Sequence, residues 1–234
     1  FAVQTCLLGS TLCVLALWTI HKSKTLWDSF GVLCKYQMLT GLSLLLVTTV
    51  YSLLPIEWAP ADDHVISIAT TSIGEIFYFY SGEMHYLFAI NRFVCIVFPT
   101  MKQVWRNSTT KILLFCAVLA VFRTFLMMMF DVNLYWVYDR KMNIWHKTHT
   151  EWTQYYETYF EVYWSTGEIA LILLLDSITF AFLLLSKSKI SNGEMQMNRK
   201  AEIRLILQSF CQCIPTTSVT LVYFFIFPTI TSPN

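Results

Sequence analysis

A helix of roughly 20 apolar residues spans about 30 Å of hydrocarbon. This chain contains six runs of that kind, at about residues 1–20, 33–54, 66–91, 112–132, 163–185 and 205–227. Lipid offers no partner to backbone N–H and C=O groups, so runs of this length fold as helices that satisfy their own hydrogen bonds. With 56% hydrophobic and 13% charged residues, the chain is not an ordinary soluble domain. The expectation is an all-α membrane protein, a single transmembrane domain over residues 1–234, with the first span cut short and a seventh span absent. No internal repeat stands out, which gives no support to an inverted-repeat transporter.

Orientation follows from the basic residues, because Lys and Arg near span ends are retained on the cytoplasmic side. Twelve of the 16 follow spans one, three and five: Lys22, Lys24, Lys35; Arg92, Lys102, Arg106, Lys111; and Lys187, Lys189, Arg199, Lys200, Arg204. Arg140, Lys141 and Lys147 share one long loop with several acids, and the turn after span two holds Glu57, Asp62 and Asp63 without a base. The first end is therefore expected outside. Basic inner faces suit anionic lipid or an acidic cytosolic partner, and nothing points to nucleic acid. The sequon Asn107-Ser108-Thr109 falls on the inner side, where it is not glycosylated.

Charges within spans are costly and need partners. Glu83 and Arg123 lie at mid-membrane depth on spans three and four, which predicts a buried pair, with Asp176 on span five as the competing acid. Nine residues separate Glu83 from Arg92, about 13 Å of helix rise. That puts Arg92 at the inner membrane edge, where it snorkels or meets an acid of span six. Glu75, Tyr78, Phe79 and Gly82 fall on one side of the outer half of span three, with Glu168 at similar depth on span five. Aromatics with carboxylates suit a small, partly apolar, cationic molecule. In span six, Gln208 and Gln212 precede Pro215, which removes a backbone donor and sets a hinge.

The outer loop between Asp131 and Glu161 holds Trp136, Trp145, Trp152 and many tyrosines, and reads as a folded lid. The seven cysteines lie in or beside spans, so an extracellular disulfide framework is not available. The chain has no His-Glu-x-x-His, no Gly-x-Ser-x-Gly and no phosphate loop, and its histidines give no convincing metal spacing. Catalysis, a cofactor and a metal site are not expected.

Four patterns carry a family resemblance: Ser29-Phe30-Gly31-Val32-Leu33-Cys34; Ile90-Asn91-Arg92-Phe93 with Phe98-Pro99; Asp176-Ser177-Ile178-Thr179-Phe180; and Glu202-Ile203-Arg204 with Gln208. Through them the chain resembles the nematode chemosensory serpentine receptors of class X, which are seven-helix proteins similar in outline to rhodopsin-like G-protein-coupled receptors. Asn91 stands where such receptors usually carry an acid before the arginine, leaving Glu202 as the expected carboxylate for Arg92. The cysteine usual at the outer end of span three is missing. The resemblance implies a chemoreceptor of the plasma membrane or sensory cilium, binding a small molecule and signalling to a heterotrimeric G protein. Asn91, Arg92, Phe93, Glu202 and Arg204 would form the switch. The alternatives are a transporter or channel subunit with Glu83, Arg123, Glu168 and Asp176 as its polar path, or a truncated receptor relative that does not signal.

Overall fold

The computed structural model describes residues 2–22, 29–53, 64–131, 136–139, 144–148 and 150–185. The sixth predicted span, with Glu202, Arg204, Gln208 and Pro215, lies outside the described residues. In chain order the elements are α1 (Ala2–Lys22), α2 (Ser29–Leu53), α3 (His64–Val97), a 3-10 turn (Pro99–Met101), α4 (Lys102–Phe130), strands β1 (Trp136–Asp139) and β2 (Ile144–Lys147), α5 (Thr153–Tyr156), a π-helical segment (Glu157–Tyr163) and α6 (Trp164–Leu185).

Among the described residues three stretches, Ser29–Val50, Pro99–Phe130 and Glu161–Leu185, are long and apolar enough to cross a membrane, and Cys6–Lys22 is a shorter apolar helix. α3 has 34 residues, about 51 Å of rise, and carries Glu75, Glu83 and Arg92 within its apolar run. Pro99 explains where it stops. The residue before a proline is driven out of the α region, and Phe98 is non-helical at φ −123°, ψ 68°. Pro99 then opens the 3-10 turn, where its missing N–H costs nothing. α4 follows at once and begins ten residues before its predicted start.

Lateral faces follow membrane logic. α4 buries Thr109, Leu113, Cys116, Ala120, Thr124 and Met127 at spacings of three and four, a stripe of mostly small side chains. Its outward face carries Leu114, Phe115, Val118, Phe122, Phe125 and Met129. In water that face would be polar; here the larger apolar residues point out, as lipid requires. Hydroxyls are satisfied locally: Thr40, Thr49, Thr109, Thr124 and Thr179 each donate to the carbonyl four residues back at 2.6–3.1 Å.

The described residues fall into two compact units, one within 1–84 and 104–157, the other within 85–103 and 158–185. In the first, α1 packs antiparallel on α2. Cys6 Sγ lies 3.9 Å from Thr48 Oγ1, Gly9 faces Leu45, and Cys13 faces Gly41. A Cβ at Gly9 would come within 2.9 Å of Leu45 Cδ1, whereas one at Gly41 would rest 3.9 Å from Cys13 Sγ. Gly9→Ile is therefore expected to cost about 1–3 kcal/mol by overpacking. Gly41→Ala is expected to be neutral or to stabilise by about 0.5–1 kcal/mol. Thermal unfolding in detergent, followed with a thiol-reactive dye, separates the two.

Also in this unit, α3 is tied to α2 by Gln37 Nε2 donating to Ser81 Oγ (3.1 Å), and to α4 by Ser72 Oγ donating to Met128 Sδ (3.3 Å). The loop after α4 contains an antiparallel hairpin, with Trp136 opposite Lys147 and Asp139 opposite Ile144. Its aromatic and β-branched runs favour strands. The hairpin is confined to this loop, and the described membrane-spanning elements are all helices. Trp152 anchors the end of the loop, its ring 6.1 Å from Phe130 and 5.9 Å from Tyr155.

Candidate functional site: two intramembrane ion pairs

The buried side of α3 is a stripe with a step of four residues: Thr71, Glu75, Phe79, Glu83, Leu87 and Asn91. Each step of four turns the helix by only about 40°, so the stripe winds gradually around α3 and carries two carboxylates and an amide along a buried, twisting path. Tyr78, expected beside Glu75 and Phe79, is instead 46% exposed. One residue turns a helix by about 100°, so Tyr78 cannot share Phe79's inward direction, although their rings touch at 5.6 Å. Gly82 is half-buried.

In the first unit, Arg123 of α4 meets this stripe. Its Nη1 donates to Glu83 Oε1 at 3.5 Å, and its guanidinium lies over the Phe79 ring, 4.1 Å from the centroid. Phe79 thus already carries a cation on its face. The expectation of an aromatic wall open to a cationic molecule is corrected to that extent, because Arg123 provides the charge that Phe79 and Glu83 together attract.

In the second unit, Arg92 and Asp176 form a closer pair. Arg92 Nε and Nη2 donate to Asp176 Oδ1 at 3.0 and 2.9 Å, and Nη2 also reaches Oδ2 at 3.0 Å. Asp176 has no exposed surface and Arg92 only 5%. Two sequence expectations change here. The predicted span stops at about residue 91, whereas α3 continues past Arg92 to Val97. Arg92 meets the carboxylate of Asp176, which was expected to compete for Arg123; the expected partner Glu202 lies outside the described residues. Asp176 reaches Arg92 from the inward stripe of α6, Ile172, Asp176, Thr179 and Leu183. A bidentate carboxylate satisfies the guanidinium fork and offsets the desolvation of both charges.

Asn91, next to Arg92, is buried, and its Oδ1 lies 3.8 Å from Cys95 Sγ. Phe93 packs edge-on against Phe98 at 5.6 Å. Glu168 is half-buried and accepts a hydrogen bond from Trp164 Nε1 one turn earlier on α6. Sequence reasoning missed Glu161, a buried carboxylate within the π-helical segment. The aromatic run around it hides the periodicity that would have marked its face. Among the described residues no His, Cys, Asp and Glu group has metal-site geometry.

Apolar helices with lipid-suited outer faces and charges paired inside define a multi-pass membrane protein of receptor or transporter type. The family comparison separates these. A model of the serpentine type 7TM GPCR chemoreceptor Srx family matches residues 3–234, and the chain belongs to that family. A search of curated proteins finds no match. The family is one of receptors, not of enzymes.

Proposed function

We propose that the protein is a chemosensory receptor that takes a small molecule into the outer half of its helices and signals through its cytoplasmic ends to a heterotrimeric G protein. The observation that carries this reading is the series of buried residues along α3, with Glu75, Phe79 and Glu83 toward one end and Asn91 and Arg92 toward the other. One continuous helix joins a recognition surface to the arginine of the family motif. The basic residues after spans one, three and five orient that arginine toward the cytosol of the plasma or ciliary membrane. Gly82 is a further ligand-facing candidate on α3, and Phe93, Glu202 and Arg204 are coupling candidates.

The test is a cell reporter carrying the chain and a panel of Gα subunits, screened with small polar and amphiphilic molecules. A ligand that raises the signal in the wild type is expected to lose at least tenfold in potency on Phe79→Leu, with surface amount preserved. Solute uptake or conductance without any G protein, together with silence in every reporter, would favour a transporter and overturn the reading. A glycan on Asn107 would reverse the orientation.

A further inference from the structure

Resting on that reading, we infer that Asp176 holds Arg92 in the uncoupled state, so that a lock joins spans three and five. The guanidinium makes three hydrogen bonds of 2.9–3.0 Å to one carboxylate that no solvent reaches. Such a fork is directional: it is complete in one arrangement of the two helices and breaks when either rotates by a fraction of a turn. While it is closed, the guanidinium donors engaged by Asp176 are withheld from a partner. The second ion pair does not have this character. Arg123 offers Glu83 a single contact at 3.5 Å, with Phe79 covering the ring side, an arrangement that tolerates movement.

The pair is also placed to be broken selectively. Arg92 stands five residues before the end of α3, where the chain leaves helix for the turn at Pro99, and Asp176 stands nine before Leu185. Arg92 therefore lies in the last turns of its helix, and a partner at that end acts on the pair with short leverage. A two-state element of this kind moves toward the open form by as much as a partner prefers it. Asp176 acts through Arg92 and is a positioning residue.

The experiment uses the full chain in lipid nanodiscs and in cells. Hydrogen–deuterium exchange is read over residues 92–98 and 176–185, and basal G-protein coupling is measured per surface receptor. Asp176→Asn is expected to raise exchange in both segments and basal coupling about tenfold. Asp176→Glu, which keeps the charge but adds a methylene, is expected to raise coupling two- to threefold, and it decides the matter if the asparagine variant does not reach the surface. Unchanged exchange in whichever variant is decisive overturns the lock. Raised exchange with unchanged basal coupling, in a chain whose wild type couples on stimulation, also overturns it. Raised exchange in a chain that never couples supports the lock and overturns the G-protein reading instead.

Discussion

Asp176→Ala is expected to cost about 3–5 kcal/mol of stability, because it removes the carboxylate that takes three hydrogen bonds from the buried Arg92 guanidinium. The cost belongs to the broken pair and not to the side chain alone. Joint replacement by residues of similar bulk, Arg92→Met with Asp176→Leu, removes both charges and is expected to recover most of the loss, since neither desolvation penalty remains. The carboxylate has no exposed surface and the arginine 5%, so water cannot screen either group in the native state. Thermal unfolding in detergent, with the thiols of the described free cysteines as reporters, gives the ranking. Equal losses in the single and double variants would mean that the site is held by packing, with the ion pair incidental.

How far the sequence reaches is clearest on α3 and α4. Hydropathy located both, because a span must be apolar along most of its length. It missed the start of α4, because Lys102–Lys111 is polar and hydropathy registers only the part of a helix that meets lipid. Helix formation continues past that limit: Pro99 sets the first turn, and no Gly or Pro interrupts the residues that follow. The charges divide in a similar way. Depth along the membrane suggested Glu83 opposite Arg123, and the two lie 3.5 Å apart. Depth could not assign Asp176, since it says how far along a helix a residue sits and nothing of which neighbour it faces. Eighty-four residues separate Asp176 from Arg92, and no local pattern spans that distance.

The loop shows the other limit. Its aromatic density pointed to folded structure, but the hairpin and the seven-residue π-helical segment both depart from the 3.6-residue period by which helices are recognised. A π turn takes in one residue more than an α turn, so Glu161 falls where an α-helical count would not place it. Trp136-Val137-Tyr138 and Ile144-Trp145 did carry a strand signal, one that short length and nearby charges obscured.

Glu83→Gln and Arg123→Leu are expected to be strongly non-additive. Arg123→Leu leaves the Glu83 carboxylate buried without its cation, at about 2–4 kcal/mol. Glu83→Gln leaves Arg123 over Phe79 and costs less, about 1–2 kcal/mol, because the ring face still attracts the guanidinium. The double variant has no unpaired charge, and its loss should fall well short of the sum, with a coupling of about 1–2 kcal/mol. Adding Phe79→Leu distinguishes the two attractions. If the ring shares the cation with Glu83, then Phe79→Leu should cost more in the Glu83→Gln background than in the wild type. Indifference to background would show that the contact at 4.1 Å is packing alone. Surface expression and unfolding temperature read the same cycle independently, and additive losses in both would deny a direct interaction between Glu83 and Arg123. The long, single contact predicts a weaker coupling here than between Arg92 and Asp176, so the two cycles should differ in size in that order.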